Sequence, residues 1–355
     1  MRAESTILAA LLTCGALLAA CGEDVLVAAR DAGAGDADAD SDADGDTDAD
    51  GDTDTGTAAC TWHSAQLGLL SSVWAAGPDE VYAVGGATLT DSLAFRYDGA
   101  SWQALPDPGT VVDMGLMDVW GFSTGDVVAI SDYVVALHFD GLSWTITNTF
   151  SANASLRGVW GPAKDDIWAV GGIIDTVILR YDGDSWSKTP TEDLPVVGPL
   201  AAIWGDGSGE VVAVGNGAIL RFDGQDWSPM DTAPISDSFL MIFENAWGTS
   251  MADLFVVGQH GLTSDGVVLR FDGQGWEQPS LGSAADGASL RGVHGGGPDD
   301  VWVVGERGGG GVVLNFDGSV WSGIDGPFSF PLNEVWVAAP DRIFAVGDVG
   351  VVWCQ

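Results

Sequence analysis

Four histidines, four cysteines and 51 carboxylates are the residues from which any chemistry would have to be built. His63, His138, His260 and His294 are the whole imidazole set. No two of them stand two or four residues apart, the spacings that put a pair of metal ligands on one face of a strand or helix. Gly-x-Ser-x-Gly, the turn that exposes a nucleophilic serine, does not occur, and neither does a glycine-rich phosphate loop. His138 and His294 fall at positions that recur along the chain, which points to packing, whereas His260 falls in a stretch that does not recur. Arg96, Arg180, Arg221 and Arg270 suggest a carboxylate-binding cluster. They recur at one position of a repeat, however, and this spreads them around the molecule and points to structural ion pairs. Paired carboxylates for a hydrolase or lyase stay open as a reading, because sequence alone does not show which acids converge. No catalytic residue, no cofactor and no metal is expected on this inventory.

The sharpest metal-like pattern is near the N-terminus. Asp40-x-Asp42-x-Asp44-Gly45 and Asp46-x-Asp48-x-Asp50-Gly51 each match the first half of a calcium loop, where alternate carboxylates and a turn glycine wrap the ion. The closing acid twelve positions on is missing, since Gly51 and Thr57 stand there. Weak calcium screening at millimolar concentration is the expectation for Asp40, Asp42, Asp44, Asp46, Asp48 and Asp50, without a specific site.

These motifs sit in three regions. Ile7 to Ala20 is an apolar run of signal-peptide size, too short to span a bilayer. It ends Leu18-Ala19-Ala20-Cys21, which resembles the lipobox of lipoprotein signal peptidase. That resemblance implies cleavage after residue 20 and a lipid on Cys21. Gly22 in the next position implies export onward, as an outer-membrane lipoprotein of the cell envelope facing periplasm or cell surface. Residues 21–58 form a tether in which Asp alternates with Ala, Gly, Ser and Thr. Such a stretch buries too little to offset chain entropy and is expected to be disordered. As a coil it spans roughly 35 Å, and about 125 Å when stretched. The formal net charge of −39, with 12 Lys and Arg in the whole chain, excludes nucleic acid, which is held by neutralising its phosphates. The lipid is the expected membrane contact, and a monomer is the expected state.

Residues 59–355 are one pattern repeated. Its clearest copy runs Leu156-Arg-Gly-Val-Trp160-Gly, Asp165-Asp-Ile-Trp-Ala-Val-Gly171, Val177-Ile-Leu-Arg-Tyr-Asp-Gly183 and Ser185-Trp186-Ser187. Short β-branched or aromatic runs bounded by Gly, Asp or Pro read as strands, and four per repeat make a propeller blade. The first strands carry Trp74, Trp120, Trp160, Trp204, Trp247, His294 and Trp336, which makes seven starts. The Asp-Gly-x-x-Trp hairpins carry only Trp102, Trp144, Trp186, Trp227, Trp276 and Trp321, and the seventh repeat stops at its third strand, Gly350 to Gln355. The missing fourth strand is Cys60-Thr61-Trp62-His63-Ser64. The chain is therefore predicted to be all-β, a seven-bladed β-propeller whose N-terminal strand closes the last blade. Aligned to the fourth repeat, Cys354 falls at the Arg221 position and Cys60 at the Gln225 position. These flank one hairpin turn, so a Cys60–Cys354 disulfide is expected.

The strings Val-Trp-Gly, Asp-Asp-Ile-Trp-Ala-Val-Gly and Ile-Leu-Arg-Tyr-Asp-Gly-x-x-Trp resemble the propeller repeats of a large set of uncharacterised bacterial surface lipoproteins. More distantly they are similar to kelch, galactose-oxidase-like and Asp-box propellers. The Asp-Gly-x-x-Trp turn departs from the Asp-box in lacking its Asp-x-Gly spacing and the serine before it, and no cysteine remains for a galactose-oxidase crosslink. The resemblance covers residues 60–355 and implies a fold without implying an activity.

A four-stranded blade sends its second-to-third-strand loops and its blade connections to one face, and its other two loop sets to the opposite face. The opposite loops are nearly uniform in this sequence. The first set varies, at Ala87 to Ser92, Gly172 to Thr176, Gln259 to Asp265 and Glu306 to Gly311, with long connections at 104–116, 188–199 and 229–243. Variation gathered on one face marks the binding face of a repeat protein. His260, Asp265, Glu306, Arg307 and Asp175 are its candidate contact residues. The expected function is a non-catalytic cell-surface module that binds a protein partner. The alternatives are a glycan binder that stacks sugars on Phe150 and Phe328, and the carboxylate-dependent hydrolase or lyase.

Overall fold

The computed structural model describes residues 60–355 apart from 89–90, 111–113, 133–134, 150–154, 195–197, 234 and 236. Cys21, the tether and its aspartates lie outside the described residues. Seven four-stranded antiparallel sheets make up the described chain. Their first strands are Leu70–Gly77, Leu116–Ser123, Leu156–Ala163, Leu200–Gly205, Met241–Ser250, Ser289–Gly297 and Leu332–Ala339. Each first strand contacts the next around a ring, and Leu332–Ala339 contacts Leu70–Gly77 to close it. The protein is a seven-bladed β-propeller.

Sheet faces pack on neighbouring sheet faces, so the middle strands are buried on both sides and lose the usual alternation. In Asp126–Ser131 and Val211–Gly215 every residue is buried. Runs of Val, Ile and Ala suit such a strand because branched side chains fit the pleated surface without a polar group to satisfy. Six hairpins repeat one device on one face. Asp98 Oδ1 accepts the amides of Ala100 and Ser101 at 3.0 and 2.9 Å, and Gly99 takes a φ of +89° that side chains resist. Asp140, Asp182, Asp223, Asp272 and Asp317 do the same.

The seventh blade is Leu332–Ala339, Arg342–Gly347, Gly350–Cys354 and, from the other end of the chain, Trp62–Gln66. Cys60 and Cys354 form a disulfide with Cα atoms 5.5 Å apart, across a separation of 294 residues. It stands where the other blades have an Asp-Gly turn. The repeat alignment needs one correction here. Trp353 pairs with Phe344 as Arg221 pairs with Val212, so Trp353 holds the arginine position. Cys354 pairs with Trp62 as Phe222 pairs with Trp227, and so takes the buried aromatic position one residue on. Strand alternation explains the slip, since Cys354 is fully buried and the arginine position points outward.

That position is a structural pairing site. Arg96 bonds Glu80 at 2.6 Å, Arg180 bonds Asp166 at 2.8 Å, Arg221 bonds Glu210 at 2.7 Å and Arg270 bonds Asp253 at 3.1 Å. His138 meets Asp126 at 2.7 Å and Asn315 meets Asp300 at 3.3 Å in the same arrangement. Blade seven alone replaces both partners, with Arg342 opening the second strand and Trp353 in the third.

Candidate functional site

Every first strand carries a β-bulge one residue after a Leu or Phe near its start. The register skips between Leu70 and Ser72, Leu116 and Asp118, Leu156 and Gly158, and Leu200 and Ala202. It skips again between Phe243 and Asn245, Leu290 and Gly292, and Leu332 and Glu334. A bulge leaves one residue out of the ladder and re-aims its side chain. The seven skipped residues, Ser71, Met117, Arg157, Ala201, Glu244, Arg291 and Asn333, all line a central cavity of about 1430 Å³. They form a ring at the mouth of the channel, on the variable-loop side where the first strands begin.

One step deeper lies a belt that ties blades together. Asp118 accepts Ser72 Oγ at 2.5 Å, the Val119 amide at 2.8 Å and the Val159 amide at 2.7 Å, so one carboxylate joins blades one, two and three. Burial outweighs these bonds and pushes its carboxyl up to about 6. Glu334 accepts Asn245 Nδ2 at 2.5 Å and the Val335 amide at 3.0 Å. It crosses blade six at Gly292, where a Cβ would lie 2.8 Å from Glu334 Oε1, so this position must be glycine. Burial raises the Glu334 carboxyl well above the carboxylate range, and the Asp118 charge raises it further.

Below the belt lies an aromatic layer. Trp120 meets Trp74, Trp160 and Trp336 at 6.4, 6.1 and 5.8 Å, and donates Nε1–H to the Gly161 carbonyl at 2.8 Å. His294 stands in the tryptophan position, 4.0 Å from the Trp336 ring, and accepts the Val337 amide on Nδ1. Burial lowers its pKa to about 3, so it is a neutral aromatic here.

The sequence-predicted contact residues share the variable-loop face but do not converge. Glu306 reaches the channel, where Arg291 approaches it at 3.5 Å and also bonds Asn333 at 2.7 Å. Arg307 turns away to the carbonyls of Ser283 and Ala284. His260 lies 3.4 Å from Asp237, and Asp265 accepts the Gly287 amide, which ties its loop to the next connection and lowers its carboxyl. Asp175 is exposed in the blade-three loop. Phe328 packs edge-on against Trp62 at 5.0 Å and is partly buried, so it is no open sugar platform. Phe150 lies outside the described residues.

Two features of this face escaped the sequence reading. The first is the channel ring. Its signal is the pair of positions between the Leu or Phe and the Val, Ile or Ala that precedes the Trp or His, which read Ser-Ser, Met-Asp, Arg-Gly, Ala-Ala, Glu-Asn, Arg-Gly and Asn-Glu inside a more constant motif. The second is an apolar arc over blades three to five. Ile173, Ile174, Phe239 and Leu262 are 56%, 74%, 70% and 75% exposed. Their loops are laced together, since Thr176 bonds the Gly198 carbonyl, the Gly217 amide bonds Met241, and the Gly261 amide bonds Leu240. On the opposite face Leu142 and Val320 are also exposed, in the hairpins of blades two and six, with Ile146 exposed in the strand that follows Leu142.

Several solved propellers share this geometry. The structure titled YCF48 bound to D1 peptide matches with a TM-score of 0.59 at 17% identity, over 83% of this chain and 96% of that one. Virginiamycin B lyase from Staphylococcus aureus matches at 0.65 and 12% identity, over 83% and 98% of the two chains. The WD40 propeller domain of Doa1 matches at 0.61 and 10%, over 82% and 93%. The likeness is one of fold. No protein-family model and no curated protein matches the chain.

Proposed function

We propose that this protein is a binding module that holds a protein partner on its variable-loop face, carried at the cell envelope by a lipid on Cys21 and the acidic tether. The observation that supports the reading is the apolar arc of Ile173, Ile174, Phe239 and Leu262. Large apolar side chains exposed on one face of a domain otherwise rich in carboxylates do little to hold the blades together, and such surface commonly marks a protein contact. The partner is a protein segment that buries apolar side chains against the arc. With a formal charge of −39 on the chain, association is fastest for a neutral or basic partner. Propellers of similar fold include one solved with a bound peptide, which is consistent with a peptide-binding face on this scaffold.

The test starts from the oxidised full-length protein as bait in a crosslinking capture from envelope extract. The captured protein is then purified and titrated against the wild type and against an Ile174→Asp, Leu262→Asp double variant. The reading requires the double variant to lose at least tenfold in affinity while keeping its melting temperature. Equal affinity for both proteins would refute it.

A further inference from the structure

Two opposite charges stand in the channel mouth. Arg157 is the bulge residue of the third first strand and Glu244 that of the fifth. Among the described residues, neither makes a hydrogen bond or an ion pair. The contrast with the rest of the charge inventory is sharp. Arg96, Arg180, Arg221 and Arg270 are each tied to an acid, and Arg291 is held by Asn333 and Glu306. Burial raises the Glu244 carboxyl above its usual range, and the nearby Arg157 and Arg291 charges pull it back. Both guanidinium groups therefore act on it across the mouth, and no protein donor bonds it.

The ring position between the two is Ala201, whose side chain ends at Cβ and leaves a gap in the ring there. Beneath the gap the belt offers little to compete for a ligand, because Asp118 and Glu334 already accept several hydrogen bonds from their neighbours. Arg157 is exposed and Glu244 is partly buried. A partly buried carboxylate without a hydrogen-bond donor is costly, and an open guanidinium near it makes the two together the complement of a dipolar ligand. A lone carboxylate attracted to Arg157 would be repelled by Glu244, and a lone ammonium would meet the reverse. Only a ligand that carries both charges satisfies both groups.

We propose that the channel mouth is a binding site for a small zwitterion of the amino-acid class. Its carboxylate sits on the Arg157 guanidinium, its ammonium sits on the Glu244 carboxylate, and its short backbone spans the gap over Ala201. This site is separate from the apolar arc, and either can fail without the other.

Calorimetric titration of the oxidised full-length protein with each of the twenty L-amino acids tests the proposal, with acetate and ethylammonium as single-charge controls at equal concentration. At least one amino acid should bind with a saturable signal that neither control gives. Arg157→Gln and Glu244→Gln should each weaken it tenfold or more, and Ala201→Leu, which fills the gap and leaves both charges in place, should abolish it. Unchanged melting temperatures show that the variants fold; if a Gln variant does not, the Ala201→Leu result decides. No binding by any amino acid, binding matched by acetate or ethylammonium, or binding unchanged in the variants would overturn it. Partner capture through Ile174 and Leu262 is scored separately, so failure here leaves that reading where it stood.

Discussion

The two faces of the ring solve the same problem, how to end a strand, in opposite ways. On the uniform face each Asp-Gly hairpin is self-sufficient: its own aspartate caps its own amides, and its own glycine makes the turn. On the variable face the loops lean on one another. Asp265 caps a residue of the next connection, and the Gly172 amide bonds the Ser155 carbonyl of the connection that enters its blade. A self-capped turn is free to repeat without change, whereas a loop tied to its neighbours can differ from blade to blade and still be held.

The largest expected effect falls on the uniform face, at the one blade without the self-capped turn. Replacing Cys60 or Cys354 with serine removes the clasp that joins the chain ends, and stability should fall by roughly 2–5 kcal/mol. Denaturant unfolding with and without reductant reads this directly. Reductant should shift the midpoint of the wild type and leave the variant unmoved.

Acids on the uniform face and acids in the channel should oppose each other in pH. The Asp98, Asp140, Asp182, Asp223, Asp272 and Asp317 carboxyls lie below their usual range because backbone amides hold the charged form. Their contribution is present at neutral pH and is lost as the solution is acidified. Asp118 is the reverse. Its pKa rises to about 6 on folding, so the neutral form is favoured, and its contribution is full below pH 4 and lost as pH rises through 6. A rise of about two units corresponds to about 3 kcal/mol between those limits. Asp118→Asn should flatten the fall in melting temperature between pH 4 and 7, whereas Asp98→Ala should flatten only the acid limb. A wild-type profile that rises steadily from pH 4 to 7 and matches that of Asp118→Asn would break the contrast.

Smaller effects follow from the backbone. Gly99→Ala forces a side chain into φ +89° and within 2.9 Å of Asp79, at a cost of roughly 1–2 kcal/mol. Ile174→Ser on the variable face should change stability by less than about 0.5 kcal/mol, because that side chain is already in water. Thermal unfolding of the two variants side by side measures the difference between the faces at single-residue scale.

The blade count, the closure by Trp62–Gln66 and the disulfide were legible in the sequence because each rests on a repeated residue type. Tryptophans mark strands, and Asp-Gly marks turns. The one-residue slip at Cys354 came from a strand end with no turn after it to fix the register. The channel was not legible, because it is made by bulges, and a bulge breaks the alternation by which facing is read. Arg157 and Glu244 sit at such bulges and line the channel. The varied loops do lie together on one face, where His260, Asp265, Glu306 and Arg307 each meet a group of the protein itself. Arg307 and Asp265 tie their loops to the connection at 283–287, while Ile173, Ile174 and Leu262 stand exposed on the same face.

The central claim is that the variable face holds a protein partner through its apolar arc. The most direct test titrates the purified partner, captured by the wild-type chain, against two double variants of equal chemical severity. One carries Ile174→Asp and Leu262→Asp in the arc; the other carries Leu142→Asp and Val320→Asp on the uniform face. Buried apolar contacts of this kind are worth about 1–2 kcal/mol each, so the arc variant should lose roughly tenfold to several hundredfold in affinity while the uniform-face variant binds as the wild type does. Equal affinity for all three proteins, or a loss confined to Leu142→Asp and Val320→Asp, would contradict it.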